Sequence, residues 1–353
     1  MGLRDDSIIF LLGAGASVDA GLKHAKQMTE DIETKVLNNG ELSKYRDLYY
    51  FLKSSIIYQK GLSGHFDNDG TNIEDLMNVL SELNLKHQNT LYPFIGSWNV
   101  HLSKVSGKDF ENAEELEKQI RKQLFNWINV RSYDEAQYFS NFEKFADELG
   151  SPIRIFTLNY DLCVERAVNP ENIELGFDEK RNWEWSRFEP NENVNTKIYL
   201  YKLHGSIDWQ RDEKNSHLLT KCDSPQEKSD LIFGTTAKLS SRDPYLFYVH
   251  EFRKYSLQEP LRLIVTIGYS FSDEYLNSLI RQAILSNDNA VVLSVSPIAK
   301  EKVDIERARI AAKVGVDVGK IVVQNFTAKE FLSNKLSLEN LSKIITNESD
   351  TPF

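Results

Sequence analysis

Residues 8–17 read Ile8-Ile9-Phe10-Leu11-Leu12-Gly13-Ala14-Gly15-Ala16-Ser17. Five consecutive aliphatic and aromatic residues suit a strand covered on both faces, as in a parallel sheet. Gly-x-Gly follows at once, so the chain turns sharply out of the strand into a helix. Such a turn lets backbone approach a diphosphate, whose charge suits the amides of a helix N-terminus. The third glycine of a dinucleotide fingerprint would fall at Val18 and is absent. A tight strand-to-helix turn therefore explains the two glycines as well as a nucleotide does.

Downstream, from about residue 24 to 150, the apolar spacing turns helical. Thr71-Asn72-Ile73-Glu74 has the form of a capping box, and Ile73, Leu76, Met77, Leu80 and Leu83 then keep one face. Leu116, Ile120, Leu124 and Ile128 repeat every fourth residue, and Tyr138, Phe142 and Phe145 suggest another helix. No strand-like run interrupts the block. Beyond it, short apolar runs return at Ile153–Phe156, Ile198–Leu203, Leu263–Ile267, Val291–Val295 and Ile321–Val323. Helical patterns lie between and after them, at 245–255, 273–286, 299–313 and 327–346. This rhythm predicts an α/β fold, a Rossmann-like doubly wound parallel sheet. The expected division is an α/β domain of residues 1–23 and 150–326, a helical insertion of 24–149 and a C-terminal helical tail of 327–353. The polar stretches 178–197 and 211–230 read as loops.

Composition bounds the function classes. The chain carries 42 Lys+Arg against 52 Asp+Glu, a formal net charge of -10. An acidic chain lacks the general attraction for phosphate backbones, so direct nucleic-acid binding is not expected. The two cysteines, Cys163 and Cys222, lie far apart and cannot build a four-cysteine zinc ribbon or a disulfide framework. No metal is expected, and a reducing, cytoplasmic setting is. The uncharged N-terminal run Ser7–Val18 falls short of the roughly 20 residues that span a bilayer, so no membrane association is expected.

Chemistry-bearing residues gather where the predicted strands end. Asn159 and Asp161 follow Ile153–Phe156, at the strand edge where open α/β sheets bind ligands. Asp161 reads equally well as the cap of the next helix. His204 closes Ile198–Leu203 and precedes a glycine, the only one of the seven histidines in such a context. Gly268 and Ser270 follow Leu263–Ile267, with Ser272 or Asp273 placed to cap the helix beyond. Val291–Val295 runs into Ser296-Pro297, where an adenine or its ribose could be read.

The motifs Gly13-Ala14-Gly15-Ala16-Ser17, Leu158-Asn159-Tyr160-Asp161, His204-Gly205-Ser206 and Gly268-Tyr269-Ser270, in that order, resemble those of the Sir2-like NAD-dependent family. The forms Leu158-Asn159-Tyr160-Asp161 and Gly268-Tyr269-Ser270-Phe271 look like its bacterial branch of anti-phage-defence NADases. The resemblance covers roughly 7–35 and 150–300. Two features depart from deacylating sirtuins. Their zinc ribbon has no counterpart here, and Lys23-His24-Ala25 stands where they carry Pro-Asp-Phe-Arg. The helical insertion takes the place of their zinc domain.

The resemblance implies an NAD+ hydrolase releasing nicotinamide and ADP-ribose, with NAD as substrate. Asn159 and His204 are then catalytic. Asn159 holds the nicotinamide ribose or the attacking water, and His204 acts as general base. Gly13, Ala14, Gly15 and Ser17 take the diphosphate, Asp161 the nicotinamide carboxamide, and Gly268 and Ser270 also touch the ligand. It further implies a homo-oligomer and a separate activating or regulating partner, such as a HerA-type ATPase or a prokaryotic Argonaute. The alternatives are a protein deacylase or ADP-ribosyltransferase, which needs an acceptor, and a non-catalytic nucleotide-binding assembly module.

Overall fold

The structure is a computed structural model that describes residues 3–38, 40–62, 71–84, 100–107, 110–189, 195–212, 215, 218–226, 229–231 and 243–349. The chain forms two compact units: one comprises Met1–Leu22, Val130–Leu231 and Ser240–Phe353, and Lys23–Asn129 makes up most of the other.

The first unit is built on a parallel sheet of seven strands. In chain order its members are β1 (Ile8–Leu12), β2 (Ile153–Thr157), β3 (Ile173–Glu174), β4 (Ile198–Lys202), β7 (Leu263–Ile267), β8 (Val291–Val295) and β9 (Ile321–Gln324). Across the sheet they run β3-β4-β2-β1-β7-β8-β9. From β1 the chain steps to β2, passes to the edge as β3 and comes back between these two as β4. It then returns to the other side of β1 as β7 and moves outward through β8 and β9. Parallel strands laid down on opposite sides of β1 give the topology of a doubly wound sheet. The apolar run Ile8–Leu12 and the five that return beyond residue 150 are all strands of this sheet. A separate antiparallel pair, β5 (Trp209–Arg211) and β6 (Leu219–Lys221), falls within stretches too short and polar to show a strand pattern.

β1 is buried along its whole length, and each such side chain contributes about 1.5–3 kcal/mol. Phe10 is met edge-on by Phe142 and Phe145, at centroid distances of 5.1 and 5.7 Å. Both rings belong to the helix Asn141–Leu149. Just before it, in the short helix Asp134–Ser140, the Tyr138 hydroxyl donates to the Ala16 carbonyl at 2.6 Å. Residues 130–149, which the sequence pattern groups with the insertion, therefore go with the sheet. The C-terminal helices do so too: the Lys329 amide donates to Asp19 Oδ2 at 2.8 Å, and the Leu338 amide to Glu148 Oε1 at 3.0 Å. The single helical pattern at 327–346 is two helices, Ala328–Asn334 and Leu338–Ser349, because the amides of Lys335 and Leu336 both turn back to the Phe331 carbonyl. Tyr138→Phe is expected to cost about 1 kcal/mol, the net value of a buried hydrogen bond, read as a lowered denaturant midpoint at unchanged slope.

The second unit is helical, with no strand among its described residues: Ala25–Leu37, Arg46–Leu62, Ile73–Asn84, Val100–Ser106 and Glu111–Ile128. Leu116, Ile120, Leu124 and Ile128 are all buried. Glu117 on the same helix accepts from Ser81 Oγ at 2.9 Å and from Asn84 Nδ2. The capping box at Ile73–Asn84 sits one residue later than the sequence pattern suggests. Asn72 Oδ1 accepts the Asp75 amide at 2.8 Å, and Asp75 Oδ2 accepts the Asn72 amide at 3.1 Å. Asparagine caps at least as well as threonine, and Asp75 also pairs with Lys60 at 2.6 Å. No helix among the described residues is long and apolar enough to cross a membrane.

Candidate active site

Hydrogen bonding continues past the last residue of each central strand. The Leu158 amide donates to Leu12 O and the Leu203 amide to Thr157 O, both at 2.9 Å. On the other side the Gly13 amide donates to Ile267 O and the Gly268 amide to Val295 O, both at 3.0 Å. The C-terminal edge is thereby held as one surface across β4, β2, β1, β7 and β8. Thr157 pairs with Lys202, so Asn159 and His204 each stand two residues beyond neighbouring strands, in register. Strand order reverses at β1, and in open α/β sheets ligands bind at such a switch point.

The glycine turn has a structural reason of its own. A Cβ on Gly13 would lie 2.5 Å from Gly268 O, and one on Gly15 2.7 Å from Gly268 Cα. Three amides of the turn are bonded within the protein: Gly13 to Ile267 O, Gly15 to Gly268 O at 3.0 Å, and Ala16 to Gly13 O at 2.9 Å. Among the described residues this leaves the amide of exposed Ala14 free to meet a ligand. The segment Ala14–Ala20 winds as a 3₁₀ helix with Ser17 buried inside it.

Asn159 joins this turn from β2. Its Nδ2 donates to Gly13 O at 3.0 Å and to Ser17 Oγ at 3.1 Å. Both amide hydrogens are thus taken, and the carbonyl Oδ1 remains as acceptor. Asp161 is buried, and its Oδ1 accepts the Cys163 amide at 2.9 Å. It therefore orders the start of the helix Cys163–Ala167, with Leu162 as the capping residue proper. Burial, reinforced by the Asp161 carboxylate, pushes the Cys163 thiol up, so this sulfur stays protonated and inert at neutral pH.

Beneath Asp161 lies a charged pair that the sequence reading does not single out. Lys202, 1% exposed at the end of β4, places its ammonium 2.7 Å from Glu165 Oε1 and also donates to the Asp161 carbonyl. Burial pushes the Glu165 carboxyl up more strongly than the Lys202 charge pulls it down. The signal available in the sequence was a lysine inside the apolar run Tyr199-Leu200-Tyr201-Lys202-Leu203.

His204 is buried. Its Nε2 lies 3.6 Å from Asp273 Oδ2, and the Tyr160 ring lies 6.2 Å away between centroids. Asp273 is the helix cap the sequence suggests, accepting the amides of Tyr275 at 3.1 Å and Leu276 at 3.2 Å. Its contact with His204 has no signal in the sequence. Ser270 stands apart from this group, exposed, with its hydroxyl on Ser272 at 3.0 Å and its carbonyl accepting from Arg309 at 3.3 Å. The structure therefore joins Gly13, Gly15 and Gly268 through the backbone and Asn159 with Ser17 through side chains. It sets His204 against Asp273. No group of three or more His, Cys, Asp or Glu residues suited to a metal ion occurs among the described residues.

A solved Sir2 homologue–NAD complex aligns over 97% of this chain and 89% of its own, at 11% identity and a TM-score of 0.41. A mutant Sir2 homologue bound to ADP-ribose covers 98% and 94%, at 12% identity and 0.43. A structure described under the mechanism and regulation of Sir2 enzymes covers 98% and 93%, at 10% and 0.39. No curated protein matches the chain. Residues 153–318, from the first residue of β2 to just short of β9, match the family described as the SIR2-like domain, a segment that contains Asn159, His204 and Asp273.

Proposed function

We propose that this protein is an NAD+ hydrolase. The observation that carries the reading is the placing of Asn159 and His204 in register beyond β2 and β4, at the edge where strand order reverses. The SIR2-like match over the segment holding both residues supports it. Water adds through oxygen to C1′ of the nicotinamide ribose while the C1′–N1 bond breaks. The bonding pair leaves with nicotinamide, and His204 takes the proton from water. The products are nicotinamide, ADP-ribose and a proton. Asn159 Oδ1 accepts from the water or a ribose hydroxyl, its amide nitrogen being held by Gly13 and Ser17. Asp161 receives the carboxamide, Ala14 in the Gly13–Ser17 turn meets the diphosphate, and Gly268 and Ser270 touch the remaining nucleotide.

The test is purified protein with NAD+ alone, followed by chromatography of nicotinamide and ADP-ribose. Asn159→Ala and His204→Ala should each lower the rate at least about 100-fold while the protein stays folded. Full activity in soluble Asn159→Ala protein would overturn the assignment. Nicotinamide release that requires an acylated peptide or a protein acceptor would replace hydrolysis by transfer.

The biological setting that goes with this reading is anti-phage defence by depletion of NAD+. A constitutive hydrolase would drain its own cell, so the protein alone is a homo-oligomer of low activity. A separate partner, a HerA-type ATPase or a prokaryotic Argonaute, raises its turnover. A monomer that cleaves NAD+ equally fast with and without the product of its neighbouring gene would contradict this.

A further inference from the structure

We infer that Asp273 is the positioning residue of His204, fixing which imidazole nitrogen accepts the proton; this rests on the hydrolase reading of His204. Both side chains are almost fully buried, 5% and 7% exposed, with Asp273 Oδ2 facing Nε2. The other carboxylate oxygen is fastened to the helix Glu274–Ser286 by the amides of Tyr275 and Leu276. The carboxylate is therefore clamped in one orientation.

The contact is not one that strand pairing would produce. His204 follows β4 and Asp273 follows β7, three steps apart in the sheet, or about 14 Å at the usual strand spacing. The turn after Gly268 carries Asp273 across that gap and is itself tied down. Asn277 Nδ2 donates to Phe271 O at 2.9 Å, and the Tyr269 hydroxyl donates to Asn277 Oδ1 at 3.0 Å. Phe271 is held at φ 57°, a left-handed conformation uncommon for a bulky residue.

An imidazole whose Nε2–H faces a carboxylate presents Nδ1 as the lone pair that takes a proton, and the carboxylate then stabilises the imidazolium. At 3.6 Å the pair is longer than a hydrogen bond. Such catalytic contacts tighten when substrate binds.

Asp273→Asn separates positioning from capping. Asparagine caps a helix as well as aspartate, so the melting temperature should hold. Its amide hydrogens now face Nε2 and favour the opposite tautomer. We expect kcat to fall about 10²–10⁴-fold with KM little changed. The activity-independent readout is ¹⁵N NMR of histidine-labelled protein, with His204 assigned by its loss in His204→Gln. His204 should carry its proton on Nε2 in the wild type and on Nδ1 in Asp273→Asn. An unchanged tautomer with unchanged kcat overturns the inference, as does a loss of kcat that merely follows a lowered melting temperature. A tautomer that switches between wild type and Asp273→Asn, in a protein whose wild type does not cleave NAD+, would uphold the positioning and sink the hydrolase reading alone.

Discussion

Gly268→Ala is expected to destabilise the protein by roughly 3 kcal/mol or more, from two independent sources. The residue sits at φ +61°, where a side chain costs about 1–2 kcal/mol. The added Cβ would also lie 2.2 Å from Ala16 N and 2.3 Å from Gly15 C. Those neighbours are backbone and cannot swing aside, so overpacking adds about 1–3 kcal/mol. Gly21 provides the control. It has a similar left-handed φ of +86° but nothing within 4 Å of its Cβ position, so Gly21→Ala carries the backbone cost alone. Thermal melts of the two variants decide the matter. Equal losses would show that the approach of the Gly13–Ser17 turn to the end of β7 contributes nothing. Since Asn159 bonds to that turn, Gly268→Ala should also lower NAD+ cleavage among molecules that remain folded.

Lys202→Met should cost about 3–5 kcal/mol, because it leaves Glu165 as an uncompensated buried carboxylate. The Asp161 carbonyl loses its donor in the same step. Replacing both partners, Lys202→Met with Glu165→Leu, should restore much of the loss, since no buried charge is then left alone. Failure of the double variant to recover would mean that the lysine acts mainly through the Asp161 carbonyl. The pH dependence has a defined sign. Burial already pushes the Glu165 carboxyl up, and without the ammonium it rises further. The folded variant then holds a proton that the unfolded chain releases, so the Glu165 contribution is full at low pH and fades as pH rises through the folded value. The stability gap between Lys202→Met and wild type should therefore be smaller at pH 5 than at pH 8. A gap that widens on acidification would contradict the assignment.

Much of the architecture is legible in the sequence because a fully buried parallel strand leaves no choice of side chain. Ile8–Leu12, Leu263–Ile267 and Val291–Val295 are such runs, and each is a strand at those bounds. β5 and β6 escape because each has one buried residue, Trp209 and Leu219, in a run of three. Two residues likewise cannot announce β3. Residues 134–149 show their helical pattern but not their allegiance, since amphipathic spacing says that a face is buried and not against what. The same limit governs the site. Asn159 and His204 stand out because strand ends are local features. Asp273 against His204, and Lys202 against Glu165, are meetings between segments that only the folded topology brings together.

The central strand of the sheet also sets the order in which the protein can form. Ile8 pairs with Leu263, so β1 waits for a partner more than 250 residues further along the chain. At about 5–20 residues per second of synthesis, that wait is roughly 13–50 s. Throughout it the β7 side of a wholly apolar strand has no neighbour, and unpaired edges of this kind seed association between nascent chains. Long-range parallel pairing is also slow to close. A nascent chain stopped before residue 263 should accordingly be protease-sensitive and prone to aggregate. Release of β7 from the ribosome is then the point after which the sheet can become protected, and pulse-labelled hydrogen exchange on stalled chains of increasing length would place it.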